Sequence, residues 1–413
     1  MPPRRRVSFS VGRTWPGLLI LCVAISAALV SPAFVQPVTI PVQLISALKA
    51  ATIAVVPVGK APDGLAFDPA LGEIFVANAL SNNVSVISDS DSSVKASIPV
   101  GDYPYGVAYD SAKSEIFVTN YQSDNVSVVS TTTNSVAATI PLISQPWAIA
   151  YDNRTGEVFV SDILAGNISV IADTSNSVVA TIHVGSDPIG IAYDSGKGEL
   201  FVSGYHSRNI SVISDTTRKI TDNISSYYSP YGLAYDPVRG EVFFSNSAPP
   251  NENYVSVVND STKQIIADVP VGASPEGVAY DSGTGDVIVV NPGSSNITAV
   301  SDATNSVVTS IRTGVFPICA AYDSGRGEVF VADTDSNNVS VIPNSALSSS
   351  APSSPSGGNS IIEYTIIGAA IAIVAIALGV IRVRRRGKRG SGQVPQSAPS
   401  AGDGVPHAPS RHA

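Results

Sequence analysis

A segment that recurs seven times constrains this chain more than any other feature. Its marker is the tetrad x-Ala-[Tyr/Phe]-Asp, and the aspartates of the seven copies are Asp68, Asp110, Asp152, Asp194, Asp236, Asp281 and Asp323. Successive spacings are 42, 42, 42, 42, 45 and 42 residues. A fixed period of this length marks an array, in which one supersecondary unit packs on copies of itself. Each period contains four runs rich in Val, Ile, Phe and Tyr. In the second copy they are Tyr105–Tyr109, Glu115–Thr119, Asn125–Ser130 and Ser135–Pro141; in the fourth, Ile189–Tyr193, Glu199–Ser203, Asn209–Ser214 and Arg218–Ile224. Turn residues separate the runs, and none reaches helix length with a 3.6-residue period. Four short strands per period make the blade of a β-propeller, so the expected fold is all-β with seven blades.

The ends of the array predict closure. The seventh copy stops at Ser340-Val341-Ile342, one strand short, while Ala51–Gly59 upstream of the first copy resembles the fourth-strand segment Val179–Gly185. The N-terminal strand is therefore expected to complete the last blade, leaving no long free edge.

Of the 413 residues, the propeller is read over 51–343. Residues 34–360 hold 13 Lys and Arg against 31 Asp and Glu, a net charge of −18. Such an acidic surface argues against a nucleic-acid partner, which needs a basic face. One of the two cysteines, Cys22, falls in the leader and the other is Cys319, so no disulfide is expected in the mature domain and packing must hold it. Residues 1–33 read as a signal peptide: Arg4, Arg5, Arg6 and Arg13 precede the apolar run Leu18–Val30, and Ser31-Pro32-Ala33 offers a cleavage site. A connector covers 34–50. Beyond the propeller, 344–360 reads as a Ser/Pro/Gly stalk, 361–383 as one transmembrane helix and 384–413 as a basic, disordered tail. The basic cluster Arg382–Arg389 after the span should stay in the cytoplasm and leave the propeller outside.

The repeat resembles the YVTN-type β-propeller repeat of exported and archaeal surface-layer proteins. The likeness rests on Val100-Gly101-x-x-Pro104-x-Gly106-Val107-Ala108-Tyr109-Asp110, Phe117-Val118-Thr119-Asn120 and Asn125-Val126-Ser127-Val128-Val129, and extends over all seven copies. The resemblance implies a surface or periplasmic propeller and no single activity.

Most repeated residues read as scaffold. Each marker Asp opens a short turn and should cap its backbone N–H groups. The Glu that starts the next strand (Glu73, Glu115, Glu157, Glu199, Glu241 and Glu328, with Asp286 in copy six) reads the same way. Gly64, Gly106, Gly190, Gly232 and Gly277 fit close packing near the axis, with Ala148 and Ala320 assigned to that position in copies three and seven.

The position after the inner-strand proline is different. It reads Asp63, Tyr105, Trp147, Ile189, Tyr231, Glu276 and Ile318, and strand direction places these side chains round one mouth of the channel. Asp63, Tyr105, Trp147, Tyr231 and Glu276 are the expected ligand-binding residues: aromatics give flat apolar contact and carboxylates orient polar groups of a sugar or peptide. Tyr121, Tyr205 and His206 share that face, as does the insertion at Ala248-Pro249-Pro250 in copy five. Asn83, Asn125, Asn153, Asn167, Asn209, Asn223, Asn259, Asn296 and Asn338 begin N-glycosylation sequons. No catalytic residue, metal site or cofactor is expected, since no His/Cys cluster has ligand spacing and Cys319 reads as a buried apolar residue. The expectation is a single-pass cell-membrane glycoprotein, propeller outside. It would act in binding, adhesion or envelope organisation, with an envelope glycan or protein as partner. The alternatives are a lactonase- or lyase-like enzyme using Asp63 and Glu276, and a purely structural surface-layer component.

Overall fold

The computed structural model describes residues 53–247 and 253–347. The signal segment, the connector, the span, the tail and the inserted Ala248-Pro249-Pro250 lie outside them. No helix of the described residues is long and apolar enough to cross a membrane.

Seven four-stranded antiparallel sheets follow one another along the chain. In the second blade the strands are β6 (Pro104–Asp110), β7 (Glu115–Asn120), β8 (Asn125–Ser130) and β9 (Ser135–Pro141), numbered in chain order from the innermost outward. Inner strands of neighbouring blades touch right round the ring, the seventh against the first included. The last blade is composite. Its own strands are β26 (Pro317–Asp323), β27 (Glu328–Asp333) and β28 (Asn338–Pro343), and its outer strand is β1 (Ala54–Pro57) from the other end of the propeller. Val56 lies opposite Val339 and Ala54 opposite Val341. The expected closure is thus present.

Seven hydrophobic clusters hold the ring, and each spans two neighbouring blades. Phe75, Val84, Val86 and Ile98 of the first blade meet Ile116, Val118 and Val129 of the second; Val56, Phe330, Val339 and Val341 of the last meet Leu65, Ile74 and Ile87 of the first. The second strand of a blade is buried on both faces, which is why Glu73–Asn78 and its relatives read as nearly unbroken apolar runs. The outer strand faces water, and Ser93–Pro99 is mostly exposed. Burying one Phe side chain such as Phe75 contributes roughly 1.5–3 kcal/mol, so the stabilisation sits between blades rather than within them. The first residues of the expected stalk belong to the domain. Asn344–Leu347 forms one helical turn whose Leu347 is buried with Val329 and Ile342, because its apolar side chain finds an open edge of that cluster.

The face carrying the turns after the first and third strands is called lower here. Every marker Asp caps its turn as expected: Asp110 Oδ1 accepts from Ala112 N at 2.8 Å and Lys113 N at 3.2 Å, and Asp323 Oδ1 from Gly325 N at 2.7 Å and Arg326 N at 3.1 Å. Sequence reading did not foresee how blades are latched there. The hydroxyl of the Tyr beside the marker Asp stands between two acids: Tyr193 donates to Asp215 of its own blade at 3.2 Å and lies near the marker Asp152 of the preceding blade, and Tyr109 likewise lies near Asp68. Burial and that neighbouring carboxylate push the Tyr109 hydroxyl up to about 12. Cations from first-strand turns reach acids of the next blade, as in Arg154–Asp215 and Lys197–Asp260. At the seam between blades seven and one the tyrosine is replaced by Phe67, which packs near Gly325 and has no hydroxyl for Asp323. Burial raises the Asp323 carboxyl above its ordinary value.

At the end of the second strand, four copies carry Asn. Asn78 Nδ2 donates to Ser85 Oγ at 3.0 Å and Asn83 Oδ1 at 2.8 Å. In the third blade Asp162 takes this place, accepting from Ser169 Oγ at 2.6 Å while its Oδ1 lacks a partner. Burial pushes Asp162 up to about 6, opposed by the Ser169 hydroxyl. The folded state therefore holds this proton more tightly than the unfolded chain. The contribution is full below the unfolded carboxyl value, about 3.9, and is lost as pH rises through about 6. Asp162→Asn is expected to raise stability at pH 7 by about 1–2 kcal/mol and to flatten the slope across that window, as read by urea melts at several pH values.

Candidate functional site

The upper face carries the loops that join one blade to the next and the second strand to the third. The turn into each inner strand is built locally. The residue before the proline adopts positive φ in six copies, as at Tyr103 (55°) and Phe316 (53°). Its N–H is held by the preceding blade in several: Tyr103 N donates to Asn82 Oδ1 at 3.0 Å, Gln145 N to Asp124 Oδ1 at 2.8 Å, and Ala61 N to Asn337 Oδ1 at 2.9 Å across the ring seam. Because six copies share it, this conformation is scaffold and not a local strain built for one site.

A bulge follows the proline, and a hydroxyl from the second strand stitches it. Thr119 Oγ1 accepts from Gly106 N at 2.7 Å and donates to the Trp147 carbonyl of the next blade at 2.7 Å. Ser203 bonds Gly190 N at 2.8 Å and the Tyr231 carbonyl at 2.5 Å; Ser245 does the same for Gly232 N and the Glu276 carbonyl, at 3.0 and 2.5 Å. The glycines are needed because those carbonyls stand against them. A Cβ on Gly106 would lie 2.5 Å from Trp147 O. Blades one and seven carry Ala77 and Ala332 at the stitching position, and blade six departs further. Val290 replaces the hydroxyl residue, the inner strand is regular only over Val278–Asp281, and Glu276 N bonds Val290 O at 2.9 Å. One assignment is corrected. Ala320 lies opposite Val331, as Leu65 lies opposite Val76, so Cys319 and not Ala320 holds the glycine position of the last blade. Counting back four residues from the marker Asp323 gives the same answer, as it does for Gly64 and Asp68.

Alternation along the inner strand then lines the channel in three layers. The upper layer is Asp63, Tyr105, Trp147, Ile189, Tyr231 and Ile318; the middle is Leu65, Val107, Ile149, Ile191, Leu233 and Val278. Together they bound a cavity of about 160 Å³. A lower opening of about 520 Å³ is walled by Phe67, Tyr109, Tyr151, Tyr193 and Tyr322. Of the five expected binding residues, Asp63, Tyr105, Trp147 and Tyr231 line this cavity, and Glu276 lies near enough to act on Tyr105 without being part of the wall. Asp63 is 3% and Tyr105 9% exposed, with Trp147, Tyr231 and Glu276 half-buried. The Tyr105 and Trp147 rings lie 3.7 Å apart, Tyr121 meets Trp147 edge-on at 5.4 Å, and Tyr205 meets Tyr231 edge-on at 6.1 Å. The Tyr105 hydroxyl lies near Tyr231. Burial first, then Tyr231, Asp63 and Glu276, hold it well above its ordinary value.

Sequence reading missed Tyr103, whose ring is 5.8 Å from Tyr121, and the exposed Ile143, Leu164 and Tyr227 on the same loops. An apolar residue just ahead of an X-Pro turn was the available signal. His206 pairs with Asp187 beside the rim. Cys319 is half-buried in the cavity wall, and burial pushes its thiol up to about 11, so little thiolate forms near neutrality. Among the described residues, no group of three His, Cys, Asp or Glu side chains is placed to hold a metal ion. Of the sequon asparagines, Asn153 and Asn223 are exposed. The strand-start residues Asn83, Asn125 and Asn296 accept from Asn78, Asn120 and Asn291. Asn167 contacts His183, Asn209 donates to Asn223, and Asn338 donates to the Ser336 carbonyl. Asn259 caps its turn through Ser261 and Thr262.

No protein-family model matches the chain, and no curated protein sequence matches it. Among solved structures it is similar to a chain of Kuenenia stuttgartiensis hydrazine synthase, at 18% identity and a TM-score of 0.62, over 68% of this chain and 95% of that one. At that identity the likeness is one of fold, a β-propeller, which this chain builds with seven blades.

Proposed function

We propose that the protein is a surface recognition propeller of the YVTN-repeat type, exported by its leader and held to the membrane by its C-terminal apolar segment. It binds an envelope glycan or protein at the upper mouth. The observation that carries the reading is an internal one. Seven copies place the same backbone position at the lower mouth and fill it with Tyr six times and Phe once, whereas the upper position holds Asp, Tyr, Trp, Ile, Tyr, Glu and Ile. Packing alone would tolerate one class of side chain repeated, as the aliphatic middle layer shows; at the upper mouth acidic, aromatic and aliphatic side chains are mixed where an incoming ligand would meet them. Exposed apolar side chains gather on the same face, with Leu80, Ile143, Leu164, Tyr227 and Val315 each more than half exposed, as interaction surfaces are. Asn153 and Asn223 are the sequons best presented for glycosylation.

Binding of the full-length protein to the organism's envelope fraction tests the reading. Trp147→Ala is expected to weaken saturable binding by about tenfold or more, a loss of about 1.4 kcal/mol. Val238→Ser, at an exposed lower-face position, leaves it unchanged. Equal binding by both variants and the parent overturns the upper mouth as the site. A chelator arm tests the lactonase- or lyase-like alternative on Asp63 and Glu276, which would need a divalent metal.

A further inference from the structure

We infer that the lower mouth of the channel is filled by a neutral glycan that the chain itself carries, N-linked to Asn153. This inference rests on the export and glycosylation in the reading above, and names which sequon is modified and where its sugar lies. The state of the amide is the first observation. Of the nine sequon asparagines, eight engage their side chains in hydrogen bonds. Asn153 is exposed, and its amide makes no hydrogen bond among the described residues. Local sequence is the second. The residue after the marker Asp is Ser in four copies, Pro in two and Asn in the third blade alone. Thr155 stands two residues on and completes the acceptor Asn153-Arg154-Thr155. The turn itself needs only its Asp152 cap, which the Ser and Pro copies show, so turn chemistry does not account for the asparagine.

Place is the third. Asn153 belongs to the wall of the lower opening, beside Phe67, Tyr109, Tyr151 and Tyr193. Those rings are half-buried, and among the described residues they form no close pair of the kind that Tyr105 makes with Trp147. A pyranose sets its apolar C–H face against such rings and its hydroxyls toward Ser111 and Ser195 of the same wall. The opening of about 520 Å³ lies within the range of about 300–1,000 Å³ that ligand sites occupy. A neutral sugar also puts no charge against the marker aspartates of this face. The covalent step is a substitution at the anomeric carbon of a sugar activated as a phosphate ester. The Asn153 amide nitrogen bonds C1 and gives up one proton, while the C1–oxygen bond breaks and the phosphate leaves with the electron pair. With its lower end capped in this way, the channel takes a ligand from the upper mouth.

Glycopeptide mass spectrometry on the full-length protein purified from the organism's own membranes, joined to hydroxyl-radical footprinting, tests the inference. Asn153 is expected to carry sugar. In Asn153→Gln, oxidation of Tyr109, Tyr151 and Tyr193 should rise severalfold over the parent. Tyr227, 82% exposed on the upper face, should be oxidised equally in both proteins, and Tyr105, 9% exposed, should stay protected in both, which separates an uncovered mouth from a misfolded ring. Thr155→Ser keeps the acceptor and should keep the parent's footprint. A bare Asn153 beside an occupied Asn223 overturns the inference and leaves export and glycosylation standing. Sugar on Asn153 with equal footprints in parent and Asn153→Gln means that the glycan hangs in solvent, which overturns the capped mouth. If none of the sequons carries sugar, the glycosylation reading falls together with the inference.

Discussion

Val56→Asp is expected to destabilise the propeller by about 4 kcal/mol or more, the range reached when a charge is buried without a partner. Val56 is 3% exposed, lies opposite Val339 and packs with Phe330, Val339 and Val341. The strand pairing that closes the last blade is short, since β1 runs only over Ala54–Pro57. Losing it frees β28 as an edge with Val339 and Val341 uncovered, a template for pairing with other chains. Urea melts and size-exclusion chromatography should therefore show an early transition and concentration-dependent oligomers. Val55→Asp, one residue away at a position 58% exposed, should stay within about 0.5 kcal/mol of the parent. Equal behaviour of the two variants would mean that the strand does not close the ring.

Gly106→Ala should cost about 3 kcal/mol, the upper range for overpacking. The added methyl would stand 2.5 Å from the Trp147 carbonyl and 3.0 Å from Ile149 Cγ2. That carbonyl cannot retreat freely, because Thr119 Oγ1 holds it at 2.7 Å. The cost therefore has a second readout: Trp147 must move, and its near-ultraviolet circular dichroism should change. Ala148→Gly at the same repeat position of the third blade serves as control, with an expected change of under about 1 kcal/mol from backbone entropy. A Gly106→Ala protein as stable as the parent, with unchanged tryptophan signals, would show that the blades can spread.

The repeat made the fold legible. Strand boundaries in the second blade fall within a residue of those read from the Val/Ile-rich runs, since each run is bounded by turn residues that cannot continue a sheet. Mouth residues were legible too, because side chains alternate along a strand and the proline marks where the strand begins. What was hidden lies between blades. Nothing local announces that Tyr109 comes to lie near Asp68, 41 residues earlier, or that Thr119 orients Trp147 in the next sheet. The search for a small residue at the glycine position of the last blade pointed to Ala320, although Cys319 stands four residues before Asp323 as Gly64 does before Asp68.

By itself, the sequence determined seven antiparallel sheets, their order and the strand that joins the two ends, because those depend on period, alternation and turn chemistry within one copy. Tertiary structure alone decided that Asp63, Tyr105, Trp147 and Tyr231, from four different blades, share one small cavity. The physical reason is closure. Residues on different blades, far apart in the chain, become neighbours only when the ring of sheets meets itself, and no local preference encodes that distance.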